Sequence, residues 1–159
     1  MEVASTYFDN LFHARASDQM EECLNVVPNM VTEDMQEVLS SEFTAEEVKM
    51  ALFQMGPIKV PGPDDMNALF YQKFWHVVGD SVVLAILDFL NNGNMLPDIN
   101  HTNIMLIPKV KNPERMSEFR SISLCNVIYK IISDVLANRL IWYSHTLSRL
   151  LKVPLYQGD

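Results

Sequence analysis

The chain has 159 residues, 48% of them hydrophobic, and a formal net charge of −8. This length is sufficient for one domain with a hydrophobic core, and no apolar run reaches the roughly 20 residues that a membrane-spanning helix needs. The first residues, Met1 to Asp9, lack a basic stretch followed by an apolar one, so we expect no secretory signal. Two cysteines, Cys23 and Cys125, cannot form a disulfide framework. These features predict a nuclear or cytoplasmic protein.

The charge is unevenly distributed along the chain. Residues 1–50 hold two basic and eleven acidic side chains, whereas residues 101–159 hold eight basic and four acidic ones. A basic segment can meet a polyanion locally even when the net charge is negative. A solvated surface with uneven charge is the alternative, and charge alone leaves both interpretations open.

The first part of the chain predicts helices. Residues 1–40 form a helical lead-in in which Thr32 is placed to cap a short helix. Thr44 is followed three residues later by Glu47, which is the spacing of a capping box, so a helix begins there. Gly56 stops it.

The middle of the chain predicts a stiff loop followed by two helices. Residues 57–65 include three prolines, which fix their φ angles. Asp64 or Asp65 is placed to cap the next helix. Gly79 is predicted to break that helix, and Gly93 to end the one after it.

The apolar period then changes to that of an antiparallel hairpin. Residues 104–107 form a continuous apolar run that suits a buried strand. Residues 110–118 are polar and predict a loop, and residues 119–124 alternate as a second strand. Residues 127–140 carry the apolar stripe of an amphipathic helix. The whole predicts an α+β fold, a mostly helical body with a small antiparallel β-hairpin.

The predicted hairpin brings cations together. Lys109 ends the first strand and Arg120 begins the second, with Lys111 and Arg115 in the loop between them. Like charges that face each other across a strand pair are unfavourable unless they are screened or an anion lies between them. A lysine and an arginine together suit phosphate, because one is a compact charge and the other a bidentate fork.

The alternative to a phosphate site is a solvated basic loop. Glu114 and Glu118 lie in the same loop, and their carboxylates can neutralise the cations. The spacing of the residues does not separate these two interpretations.

Several segments of the chain together carry a resemblance to one known protein family. The resemblance is collinear over roughly residues 5–140. The segments that carry it are Tyr7-Phe8-Asp9-Asn10-Leu11-Phe12, Gly56-Pro57-Ile58-Lys59-Val60-Pro61-Gly62-Pro63-Asp64, Ala68-Leu69-Phe70-Tyr71-Gln72-Lys73-Phe74-Trp75, Asn100-His101-Thr102-Asn103-Ile104, Ile107-Pro108-Lys109, Phe119-Arg120-Ser121-Ile122-Ser123-Leu124-Cys125-Asn126-Val127-Ile128-Tyr129-Lys130 and Ala137-Asn138-Arg139-Leu140. These segments resemble LINE-type (non-LTR) retrotransposon reverse transcriptases, in particular those of plants.

The resemblance implies the fingers region of a right-hand RNA-directed DNA polymerase. It implies a fingers region over residues 41–141 and a divergent tail over 142–159. In the family, the residues at Lys109 and Arg120 approach the triphosphate of the incoming nucleotide. The corresponding partners are RNA or an RNA–DNA primer-template and a deoxynucleoside triphosphate, with Lys111 and Arg115 as further nucleic-acid contacts.

The sequence departs from the family at two positions. Asp65 stands where the family usually has glycine, which strains the turn. Ser121 stands where the family has proline, so the residue after Arg120 is less rigid.

The resemblance implies no catalytic residue in this chain. The family transfers nucleotides with divalent metals, Mg²⁺ for the full-length enzyme, held by palm carboxylates downstream of every matched segment. We therefore expect a truncated chain without metal, cofactor or polymerase activity of its own. The alternatives are a non-enzymatic nucleic-acid-binding fragment and a helical protein-interaction module that self-associates through exposed apolar faces.

Overall fold

A computed structural model describes residues 2–13 and 31–151 of the protein. These residues form an α+β arrangement of six α-helices and one two-stranded antiparallel sheet. The elements are α1 (Glu2–Phe12), α2 (Glu33–Ser40), α3 (Ala45–Gln54), α4 (Ala68–Lys73), α5 (Trp75–Asn92), β1 (Thr102–Pro108), β2 (Phe119–Cys125) and α6 (Val127–Leu151). Their contacts divide the described residues into two units, 2–13 with 106–122 and 31–105 with 123–151. The predicted boundaries at residues 40 and 141 stay predictions.

Two helix starts are those predicted from local spacing. The side chain of Thr32 accepts a hydrogen bond from the backbone N of Met35 at the start of α2. At the start of α3, Thr44 and Glu47 form the reciprocal capping box, with the Glu47 carboxylate 2.8 Å from the backbone N of Thr44. Each cap satisfies backbone donors that the first helical turn leaves unpaired.

The cap of α4 was predicted at the wrong residue. Asn67, not Asp64 or Asp65, is the cap, and its Oδ1 accepts from the backbone N of Phe70 at 3.0 Å. Asp64 instead accepts from the backbone N of Met66, closing a local turn. Asp65 has a φ of 55°, the left-handed conformation in which a glycine has no steric cost.

The break between α4 and α5 was also predicted at the wrong residue. The interruption lies at Phe74, and α5 runs uninterrupted through Gly79. Gly79 is buried, and a Cβ there would lie 2.9 Å from Cε2 of Trp75. The glycine therefore makes room for the indole, and this packing outweighs the cost of about 1 kcal/mol for glycine in a helix. Gly93 ends α5 as predicted, with a φ of 78°.

The core of the larger unit is built by α3, α5 and α6, to which α4 adds one buried residue. Its fully buried members include Val48, Leu52, Ala68, Ile86 and Ile131. Helix α2 contributes no buried residue. Helix α2 is held on this unit by polar contacts that centre on Arg139 of α6.

The strands and the last helix differ from the prediction in burial and length. Strand β1 contains the predicted run, but Ile104 and Met105 are 50% and 51% exposed. The strand is not buried, because a two-stranded ribbon leaves much of its surface uncovered. Helix α6 continues past the predicted end at residue 140 to Leu151, since no glycine or proline interrupts residues 127–151.

Candidate phosphate-binding hairpin

The register of the hairpin decides which cations share a face. The backbone N of Lys109 donates to the carbonyl of Glu118 at 2.7 Å, which makes these two residues opposite each other. Counting back along both strands pairs Ile107 with Arg120. Lys109 directly follows β1, and Arg120 is the second residue of β2. When the alternation of side chains is continued one residue past β1, the two cations become diagonal neighbours on one face. The Cα atoms of diagonal neighbours are typically about 7–8 Å apart. Two long side chains can reach a single phosphate group across this distance.

Lys109 is partly oriented by the loop. Its Nζ donates to the carbonyl oxygen of Ser117 at 2.8 Å, and the side chain is exposed. An ammonium group has three N–H donors. One donor thus fixes the side chain along the hairpin, and two remain for a ligand.

Arg120, Lys111 and Arg115 are exposed. Within residues 2–13 and 31–151, none of their side chains forms an ion pair at 4.0 Å or less; the ion pair that does form there joins Arg139 to Glu47. The hairpin therefore presents four cations whose charge is not cancelled by direct contact with a carboxylate.

The two acidic residues of the loop do not neutralise these cations directly. The Oε2 atom of Glu118 accepts from the backbone N of Glu114 at 2.7 Å and of Arg115 at 3.1 Å. Glu114 is exposed. The structure thus favours an open basic surface over a hairpin closed by its own salt bridges.

A second polar cluster lies where the proline-rich loop meets the start of α6, within the larger unit. Asn126 is 9% exposed; its Oδ1 accepts from the backbone N of Asp64 and its Nδ2 donates to the carbonyl of Asp98. Gly62 packs so closely that a Cβ would lie 2.4 Å from the backbone N of Asn126. The Nζ of Lys130 donates to the carbonyl of Val60 at 2.8 Å. This cluster anchors the loop, and Lys130 is occupied in that role.

A third cluster is centred on Arg139 of α6, which sequence reasoning did not single out. Its Nε and Nη2 atoms lie 2.6 Å and 2.9 Å from the two carboxylate oxygens of Glu47. The guanidinium also donates to the carbonyls of Ser41 and Glu42, and it stacks 3.7 Å from the centre of the Phe43 ring. The hydrogen bond from Arg139 lowers the pKa of Glu47, although burial opposes the shift. The only sequence signal was an arginine near the end of the α6 stripe, and spacing does not connect it to Glu47.

The described part of the chain, residues 2–13 and 31–151, contains neither a metal-binding cluster nor a membrane-spanning helix. No group of three or more His, Cys, Asp or Glu side chains there is placed to hold a metal ion. No helix there combines the length and the apolar character that crossing a bilayer requires.

Comparison with sequence profiles of known protein families finds no match. The chain is similar to a Xenopus laevis protein described as "Transposon TX1 uncharacterized 149 kDa protein", with 27% identity over 139 residues. The aligned region covers 86% of this chain but only 11% of the relative. This similarity supports a transposon origin for the chain, which spans about a ninth of the length of the protein that it matches.

Proposed function

We propose that this chain is the fingers-type part of a LINE-type retrotransposon reverse transcriptase and that its hairpin binds phosphate. The observation that carries the proposal is the pair Lys109 and Arg120, two exposed cations at the loop end of the hairpin. The transposon relative supports the wider assignment, because it aligns with most of the chain. The bound group is the triphosphate of a nucleotide or the backbone of an RNA–DNA primer-template.

Lys109 and Arg120 carry like charges, and neither is paired with a carboxylate among the described residues. An anion between Lys109 and Arg120 removes their mutual repulsion and adds charge-assisted hydrogen bonds, each worth about 1.5–3 kcal/mol. The arginine supplies a planar fork for two phosphate oxygens, and the lysine supplies a point charge. Lys111 and Arg115 extend the basic surface toward neighbouring phosphates.

The proposal gives this chain a binding role. Nucleotidyl transfer in the parent enzyme would rely on carboxylates and Mg²⁺ that we do not assign to any residue of this chain. The hairpin would hold the nucleotide or template while the chemistry proceeds elsewhere.

The test is fluorescence anisotropy with a labelled RNA–DNA primer-template at several salt concentrations. We expect Lys109→Ala/Arg120→Ala to weaken binding about 10-fold or more, since two charge-assisted contacts are lost. The plot of log K against log salt concentration should become less steep by about 1–2, because each phosphate contact contributes about 0.7–0.9 to the magnitude of its slope. Competition by a deoxynucleoside triphosphate would distinguish the nucleotide from the backbone as the bound group.

The matched control is Lys49→Ala/Lys59→Ala, which removes the same charge from two exposed lysines outside the hairpin. It should change binding less than about 2-fold, because the proposal assigns the bound phosphate to the hairpin cations and not to these two lysines. Equal weakening by both double variants would show a general charge effect. Failure of the folded wild-type chain to bind would refute the nucleic-acid role.

A protein-interaction role is the second candidate. Val77 and Leu84 of α5 are 68% and 70% exposed, which is unusual for large apolar side chains on a helix of the core. Sedimentation of the wild-type chain beside Val77→Ser/Leu84→Ser tests this role. Association that the variant abolishes would favour it, and a monomer at all concentrations would exclude self-association.

A further inference from the structure

Glu118 is connected to the hairpin at four points. Its backbone N donates to the carbonyl of Arg115 at 3.0 Å, and its own carbonyl accepts from the backbone N of Lys109 at 2.7 Å. Its carboxylate accepts from the backbone N atoms of Glu114 and Arg115. The loop between the strands is thus folded back onto a single half-buried residue.

These bonds hold the backbone of the loop at Arg115, one of its cations. The carboxylate satisfies two backbone donors that would otherwise bind water, and it thereby fixes the chain direction at Arg115. The short 3-10 turn Met116–Glu118 then places the carbonyl of Ser117 against Nζ of Lys109. Glu118 therefore acts on Lys109 and Arg115 through the backbone, without an ion pair to either of them.

We propose that Glu118 is a positioning residue of the anion site, an acidic side chain whose loss weakens phosphate binding. This inference rests on the proposed function, because it concerns the same hairpin. The expected change in affinity is opposite in sign to the change that the charge of Glu118 alone would produce. A negative charge beside four cations should repel a phosphate, so its removal should strengthen binding if charge were its only effect.

Four variants separate charge from geometry in the primer-template binding assay. Glu118→Ala removes the charge and the hydrogen bonds, and Glu118→Gln removes the charge but keeps an acceptor oxygen. Glu118→Asp keeps the charge but is one methylene too short to reach both amides. Glu114→Ala is the matched control, since it removes the same charge from an exposed neighbour whose backbone, not its side chain, takes part in the network.

The expected results differ in sign. Glu114→Ala should tighten binding about 2-fold through charge alone. Glu118→Ala should weaken it about 5-fold, and Glu118→Asp about 3-fold, because the loop and with it the cations lose their fixed positions. Glu118→Gln should stay within about 2-fold of wild type, as the amide oxygen replaces the carboxylate. The salt slope should fall by about 1 in Glu118→Ala, the loss of one phosphate contact.

A second measurement is independent of the ligand. Amide hydrogen exchange at Glu114 and Arg115 should accelerate at least about 10-fold in Glu118→Ala and Glu118→Asp, but not in Glu118→Gln or Glu114→Ala. Circular dichroism would establish that each variant is folded.

The outcomes are distinguishable. If the wild-type chain binds, but Glu118→Ala tightens binding as Glu114→Ala does, Glu118 is only a charge and the inference is wrong. Unchanged binding by Glu118→Asp together with unchanged amide exchange would also overturn it. If the folded wild-type chain does not bind at all, the proposed function fails and the assignment of Glu118 fails with it.

Discussion

Replacing Arg139 with alanine is expected to destabilise the protein by about 3 kcal/mol. The guanidinium holds both carboxylate oxygens of Glu47, two backbone carbonyls before α3, and the face of Phe43. The side chain of Arg139 is 10% exposed and that of Glu47 is 26% exposed, so solvent screens the pair only in part.

The expected loss of stability in Arg139→Ala comes from the Glu47 carboxylate, which loses its partner cation. Removing one partner of a buried pair costs about 3–5 kcal/mol, because the other charge stays uncompensated. Glu47 keeps some solvent contact and its hydrogen bonds with Thr44, so we expect the lower end, about 3 kcal/mol. At about 2–4 °C per kcal/mol for a chain of this size, the melting temperature should fall by about 6–12 °C.

Circular dichroism during urea and thermal unfolding measures this change. Arg139→Lys should cost about 1–2 kcal/mol, since an ammonium keeps the charge but loses the fork and the stacking on Phe43. Arg120→Ala is the control, a free surface arginine whose loss should change stability by less than about 0.5 kcal/mol. If Arg139→Ala were no more destabilising than Arg120→Ala, the cluster would not hold α2 and α3 on α6.

Three further predictions concern stability. Gly62→Ala should cost about 3 kcal/mol in urea unfolding, because its Cβ would lie 2.4 Å from the backbone N of Asn126. Gly56→Ala should be nearly neutral, because the nearest atom to its Cβ would be 3.8 Å away in the flexible side chain of Lys59. Equal losses of stability in the two variants would contradict this explanation. Gly93→Ala should cost about 1–2 kcal/mol, since its φ of 78° is left-handed; an unchanged melting temperature would refute it. The pKa of Glu47 is lower in the folded protein than in the unfolded chain. Glu47 therefore stabilises the fold at pH values above its unfolded-state pKa, and this stabilisation is lost as the pH falls through its folded-state pKa. The difference in unfolding free energy between wild type and Glu47→Gln should therefore shrink as the pH falls below about 4.5, the ordinary pKa of the carboxyl group; a constant difference would exclude this linkage.

The sequence could predict part of the candidate site. Two strands joined by the polar loop of residues 109–118 bring Lys109 and Arg120 to the same end of the hairpin. The role of Glu118 could not be foreseen in the same way, because a carboxylate beside cations suggests an ion pair. Only the folded loop shows that one carboxylate oxygen of Glu118 accepts from two backbone amides instead.

The sequence by itself determined the features that depend on bonds between near neighbours. The capping box of Thr44 and Glu47 and the end of α5 at Gly93 are set within three or four residues, so spacing is enough to reveal them. Tertiary structure decided the features that depend on distant partners. Gly79 lies inside a helix because the indole of Trp75 needs its space, and Arg139 finds Glu47 across 92 residues of chain. Local hydrogen bonds leave a pattern in the order of residues, whereas close packing and long-range ion pairs exist only once the chain has folded.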